Sequence, residues 1–153
     1  MWIPQEDKDP IVLQEPTRKG ISVFGVSNIR NGKFVGMFSK KFNATAFQKF
    51  LNVLVKRGKG KKMQVILDNA RYQHAKILED WLNENKELLF LDFFPPYSPK
   101  LNPIVRVWKL LKKLRLHNQY FSNLNGMVKV IAKQFLIWIN ENFILETLCH
   151  VDD

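Results

Sequence analysis

A mixed α/β fold with a partly antiparallel sheet is what this sequence predicts, and three patterns carry the prediction. Apolar runs at residues 21–29 and 33–38 flank Arg30-Asn31-Gly32, and Asn-Gly favours the tight turn of a β-hairpin. Short apolar runs at 63–67 and 88–94 are suited to buried strands. Between and after them lie segments with apolar residues at helical spacing, which need a sheet to cover.

The elements follow in order. Residues 1–20 carry Pro4, Pro10 and Pro16 and read as extended or irregular lead-in chain. After the hairpin, Phe47, Phe50, Leu51 and Leu54 fall on one helical face over 44–56, which ends near Gly58. A basic stretch, 56–62, leads into the strand at 63–67, and Asp68 closes it. Residues 74–85 predict a second helix, striped by Ala75, Leu78, Trp81 and Leu82. The strand at 88–94 is stopped by Pro95-Pro96, and a helix is expected over 103–116 with Pro103 in its first turn. Its inward face would be Ile104, Val107, Trp108, Leu111 and Leu114; its outward face would carry Arg106, Lys109, Lys112, Lys113 and Arg115. One last helix is expected over 124–145.

The chain has 153 residues, which fits one domain, and 46% hydrophobic content, enough for a core. No apolar run approaches the roughly 18 residues of a membrane span, and the polar first ten residues make no signal peptide. A lone Cys149 excludes a disulfide framework and a cysteine-rich zinc site, so a reducing, cytoplasmic setting is expected. His117, His150 and Cys149 are scattered and form no metal set. Twenty-four Lys and Arg against 14 Asp and Glu give a net charge of +10, which points to a polyanion. No acid occurs between Glu15 and Asp68, where 12 basic residues fall, nor between Asp92 and Glu141, where eight do. Long acid-free stretches also occur in basic proteins with no such partner.

Three segments stand out for chemistry: Asp68-Asn69-Ala70-Arg71-Tyr72-Gln73-His74-Ala75-Lys76, Pro95-Pro96-Tyr97-Ser98-Pro99-Lys100-Leu101-Asn102-Pro103, and Ile104-Val105-Arg106-Val107-Trp108-Lys109. An acid at the C-terminal end of a buried strand stands where open α/β sheets place ligands. Taken by itself, Asp68 could equally cap a turn or pair with Arg71, and His74 could be an ordinary polar residue at a helix start.

These blocks, with His117-Asn118-Gln119-Tyr120-Phe121, resemble the catalytic domain of insertion-sequence transposases related to the Tc1/mariner group, the DDE superfamily endonucleases. The resemblance runs from about Trp2 to Phe135. It implies a ribonuclease-H-like mixed sheet with flanking helices, and three carboxylates that hold two Mg²⁺ or Mn²⁺ ions for cleavage and strand transfer of DNA. Carried over, Asp68 is the second carboxylate, catalytic and metal-ligating; Asn69, His74, Asn102 and Arg106 are near-site residues; and Lys100, Lys109, Lys112, Lys113 and Arg115 contact nucleic acid. The family's third carboxylate falls in Asn-Pro-Ile-Glu-Arg-Val-Trp, where this chain has Val105 in place of Glu. The first belongs to a central strand expected upstream of Trp2, so that strand is expected to be missing.

The chain is therefore expected to be a single partial catalytic domain, with its core at about residues 11–145, acting as the C-terminal part of a DNA transposase and inactive alone. The alternative is a decayed or repurposed non-enzymatic DNA-binding or dimerisation module. Expected partners are DNA, an upstream transposase segment or a second copy, with no membrane; the expected location is cytoplasmic, nucleoid-associated when bound to DNA. Metal binding is expected to be weak or absent in this chain.

Overall fold

The computed structural model describes residues 2–4, 12–14, 20–95 and 101–150. Strand β3 (Gly20–Asn28) organises the antiparallel half of one sheet. Strand β4 (Phe34–Ser39) runs along one edge of β3 from Ser22↔Ser39 to Ser27↔Phe34. Two three-residue strands pair antiparallel with β3 elsewhere: β1 (Trp2–Pro4) with its C-terminal end and β2 (Val12–Gln14) with its N-terminal end. Strand β5 (Met63–Leu67) runs parallel to β1, with Trp2 opposite Val65, and β6 (Leu89–Phe93) runs parallel to β5.

The central position is thus not missing. Trp2–Pro4 lies between β3 and β5, antiparallel to one and parallel to the other. The physical reason is hydrogen-bond accounting: the facing edges of β3 and β5 would otherwise bury unpaired N–H and C=O groups. The occupant carries Trp2, Ile3 and Pro4, and none of them is a carboxylate.

Alternation along the strands divides the core into two layers. Val23, Phe34 and Ile66 face helices α3 (Ile104–Leu111), α4 (Leu124–Trp138) and α5 (Phe143–Leu148), where Trp108, Ile131, Phe135 and Trp138 are buried. Phe24, Val26, Val35, Val65 and Leu67 face α1 (Ala44–Gly58) and α2 (Ile77–Glu84). The α1 stripe Phe47, Phe50, Leu51 and Leu54 is buried as its spacing predicts. Asn43, Asn123 and Asn142 cap α1, α4 and α5, each side-chain oxygen accepting the N–H three residues on at 2.8–2.9 Å.

Three helical expectations need correction. The segment expected as one helix over 74–85 is a 3₁₀ turn at Arg71–His74 followed by α2. The helix expected over 103–116 changes after Leu111 into a π turn at Lys112–Leu116, closed by His117 N–H donating to Lys112 C=O at 2.7 Å. A π turn widens the winding and shifts every later side chain round the axis. Leu114, expected inside, is consequently 51% exposed, while Leu116 packs against the core and Arg115 is half-buried.

The helix expected over 124–145 is two helices, and Asn142 explains the break. Besides capping α5, its side-chain amide donates to Gly32 C=O at 2.8 Å, and its backbone N–H donates to Asn31 C=O at 3.0 Å. The hairpin turn is thereby pinned into the α4–α5 junction. Gly32 has φ +74, and a Cβ there would lie 2.2 Å from Asn142 O and 2.7 Å from Glu146 N. Backbone atoms cannot rotate away, so Gly32→Ala is expected to cost about 2–4 kcal/mol, combining left-handed strain with overpacking. Urea unfolding checks this; a midpoint shift worth under about 0.5 kcal/mol would show that the turn is not seated against α5.

Candidate functional site

Strand β5 delivers Asp68 to its C-terminal end, and the chain then turns sharply. Phe94 N–H donates to Leu67 C=O at 2.6 Å, fixing the adjoining ends of the two parallel strands. Asp68 is only 7% exposed, and neither carboxylate oxygen has a hydrogen-bond partner among the described residues. Taking an ionised carboxylate out of water without a partner costs several kcal/mol, a cost that a bound cation offsets.

The turn after Asp68 is held by its own side chains. Asn69 adopts φ +81, a left-handed conformation that Asn tolerates better than most residues. Its Oδ1 pairs with Nε2 of His74, whose ring packs on Phe93 with centroids 4.5 Å apart. Gln73, 2% exposed, accepts the Ala70 N–H at 2.8 Å through Oε1. Gln73 was not picked out from the sequence, where a Gln three residues after Ala70 carries no distinctive signal. Asn69 and His74 are brought together beside Asp68, and the alternative pairing of Asp68 with Arg71 is not formed.

Helix α3 starts at the motif expected to supply a further ligand. Asn102 is buried, and its Oδ1 accepts the Ile104 N–H at 3.2 Å. Val105 sits in the first turn, half-buried, its N–H donating to Asn102 C=O at 3.2 Å. Arg106 is engaged at the far end of the chain: its guanidinium donates to Leu148 C=O at 3.0 Å and to His150 C=O at 3.3 Å. It therefore straps α3 to the end of α5.

Of the residues expected to contact nucleic acid, Lys109, Lys112 and Lys113 are exposed. Arg115 is instead half-buried and donates through Nε to Gln134 Oε1 at 2.7 Å, a consequence of the π turn. Lys100 lies with the rest of loop 96–100 outside the described residues.

Do these residues fit a pair of divalent ions? A buried, unpartnered carboxylate is what a hard cation needs from one ligand. Among the described residues, however, no group of three or more His, Cys, Asp or Glu could hold a metal. Val105 has no donor atom, and the strand in the central position brings no carboxylate. The donor set fits one ligand of a site and falls short of two ions. Cys149 offers no substitute, because burial pushes its thiol pKa up, against the lowering influence of Ser27 and Arg106. Among the described residues, no helix is long and apolar enough to cross a membrane.

Comparison with known proteins gives three results. Residues 1–127 match the family model described as DDE superfamily endonuclease. The chain is 30% identical over 107 residues to the "Uncharacterized protein y4pE/y4sA" of Sinorhizobium fredii (strain NBRC 101917 / NGR234), covering 69% of this chain and 76% of that one. Among solved structures it is similar in fold to the Mos1 transposase catalytic domain determined with raltegravir and Mg, at TM-score 0.72 and 16% identity over 97% of this chain and 76% of that one. It is also similar to a chain of the simian T-cell lymphotropic virus intasome, at TM-score 0.62 and 12% identity, covering 85% of this chain. The chain spans less than half, 46%, of that intasome chain. These structures share a ribonuclease-H-like fold, a mixed sheet with flanking helices.

Proposed function

The chain belongs to the DDE superfamily endonuclease family, and on that premise we propose that residues 1–153 carry the second-carboxylate part of a DNA transposase catalytic domain, able to hold DNA but by themselves silent in cleavage. The observation that carries this reading is Asp68: a buried carboxylate, without a hydrogen-bond partner among the described residues, at the C-terminal end of β5, with Val105 where the family pattern has Glu. In the intact family, Mg²⁺ or Mn²⁺ held by three carboxylates would supply Lewis-acid chemistry at a DNA phosphodiester. In this chain Asp68 would be a ligand, and the Asn69–His74 pair and Gln73 would fix the turn that presents it. Asn102 and Arg106 would set where α3 begins and how it is tethered.

Lys109, Lys112 and Lys113 would meet the phosphate backbone, with little sequence preference because phosphate contacts carry no base information. Lys100 is assigned the same role by motif alone, whereas the Arg115–Gln134 bond supports a structural role for Arg115 instead. One domain with an upstream transposase segment or a second copy as partner completes the reading. Val105 itself favours a second one, in which the chain is a decayed or repurposed DNA-binding module with no cleavage to restore.

Binding of a labelled duplex over a salt series tests the DNA part. If about four to six phosphates are neutralised, log affinity should fall with log salt at a slope of roughly −4 to −5. Charge reversal at Lys109, Lys112 and Lys113 should weaken binding alike for all sequences. Salt-independent binding, or binding that survives the triple change, would show that the α3 face is merely solvated. A plasmid-nicking assay covers cleavage: metal-dependent nicking by the unaltered chain, abolished by Asp68→Ala, would overturn the proposed silence.

A further inference from the structure

The sheet has a second charged region, at the end opposite Asp68. Strand β5 rises roughly 3.3 Å per residue, so Met63, where it starts, lies roughly 17 Å from Asp68. There the β3–β4 turn and the α1–β5 connection enclose a cleft of about 610 Å³. Arg30 and Lys33 line one wall; Arg57, Lys59, Lys61 and Lys62 line the other. Among the described lining residues none is acidic.

Both walls are locally ordered. On the turn, Asn28 Oδ1 accepts the Arg30 N–H at 2.9 Å, and Asn31 Oδ1 accepts the Lys33 N–H at 3.0 Å. Opposite, Lys59 and Gly60 take left-handed φ values of +49 and +82, and Lys61 N–H donates to Gly58 C=O at 3.0 Å. Lys62 is held with its ammonium 5.8 Å from the centroid of the Phe90 ring.

A helix C-terminus attracts cations, which accounts for Arg57 in the last turn of α1. It does not account for Arg30, Lys33, Lys61 and Lys62, which come from outside that helix. Six like charges around one concavity repel each other, and the concave shape focuses their field on whatever enters. A polyanion relieves that repulsion. The apolar side chains of the lining are aliphatic, Val35, Met63 and Ile139, with no aromatic ring among the described lining residues on which a base could stack. The chemistry suits a backbone of phosphates better than a nucleobase.

We propose that this cleft is a second DNA-backbone site, contacting phosphates at the end of the sheet away from Asp68 and acting independently of the α3 face. The inference rests on the reading of the chain as a DNA-holding domain. It accounts for the first acid-free stretch, which the α3 face leaves without a role.

The test uses the full chain, a labelled mixed-sequence duplex and three variants: Arg30→Gln/Lys61→Gln/Lys62→Gln in the cleft, Lys109→Gln/Lys112→Gln/Lys113→Gln on α3, and the two combined. A cooperative melting transition at or above that of the unaltered chain shows that each is folded. The cleft variant should lose about 2–3 from the steepness of the salt slope, and the combined variant should add the two losses. A cleft variant that binds like the unaltered chain while the α3 variant weakens would overturn the cleft and leave the DNA reading standing. Weakening by the cleft variant alone would keep the cleft and remove the α3 face. No DNA binding by the unaltered chain would sink both. Calorimetry with tripolyphosphate supplies the last arm: tight binding that the duplex cannot displace, lost in the cleft variant, would assign the site to a small polyphosphate and overturn the DNA assignment.

Discussion

Val105→Glu made alone should leave the chain as inert toward plasmid DNA as before, whereas the same change together with an added upstream strand bearing an Asp should give cleavage. The expected gain for the combination is on the order of 10⁴-fold or more over background, the scale of loss seen when one member of a catalytic unit is removed. Two ions must be positioned within tenths of an ångström, and two carboxylates do not do what three do. Folding is not the obstacle. Val105 is half-buried in the first turn of α3, which has no acid there, and a Glu at that position gains from the helix dipole by about 0.3–1 kcal/mol. Melting of Val105→Glu should therefore be unchanged or slightly raised. The added strand has to displace Trp2–Pro4 from the position between β3 and β5, so its effect depends on pairing as well as on its carboxylate.

The buried acid supplies a readout that needs no activity. Asp68→Asn should leave the metal-free chain as stable as before or more stable, by up to about 1–3 kcal/mol, since an amide has no charge to desolvate at a nearly buried position with no hydrogen-bond partner among the described residues. Added Mn²⁺ should raise the melting temperature of the unaltered chain and not that of the variant. A destabilised Asp68→Asn would show that the carboxylate is a structural anchor. Cleavage by Val105→Glu without the added strand would show that the ligands lie elsewhere.

How far these features were legible in the sequence depends on whether local chemistry decides them. The hairpin was, because Asn31-Gly32 favours a turn between two apolar runs, and strand β5 was, because a short run with four apolar residues ends on an acid. Strand β1 was not: three residues ending in Pro4 carry no strand signal, and only the open edges of β3 and β5 make them one. The α4–α5 break was half legible. Asn142 caps α5 as Asn43 and Asn123 cap their helices, but its bond to Gly32 joins positions 110 residues apart. The π turn escaped because helical spacing carries no mark of an extra residue in the winding, and Leu114 and Arg115 exchanged faces as a result. At the candidate site, motif placed Asp68, His74 and Val105. That both Asp68 oxygens lack partners among the described residues is a property of the packed turn, and so is the grip of Gln73 on Ala70.

The position of α3 itself is open to a double-mutant cycle. Gly25 and Gly36 are paired across β3 and β4, and the missing side chains leave a slot filled by rings. A Cβ on Gly25 would lie 2.4 Å from Trp108 Cη2 and 2.8 Å from Phe34 Cζ; one on Gly36 would lie 2.6 Å from Phe135. Trp108 is 3% exposed and meets Phe34 edge-on at 5.6 Å. Trp108→Ala should cost about 3–5 kcal/mol through lost burial and the cavity left behind. Gly25→Ala should cost about 2–3 kcal/mol through overpacking. Trp108→Phe should cost about 2 kcal/mol, since it removes ring volume but no hydrogen bond, the indole N–H being buried without a partner. In the double variant Gly25→Ala/Trp108→Phe the smaller ring makes room for the new methyl group, so the combined cost should fall short of the sum by about 1–2 kcal/mol. Denaturant unfolding of the four proteins measures the coupling. Val105 precedes Trp108 by less than one helical turn, so the depth of the ring in the glycine slot sets where the first turn of α3 meets the sheet edge. An additive cycle would mean that strand and ring do not share the slot, and the placement of Val105 would then be fixed by the Arg106 strap to Leu148 and His150 instead.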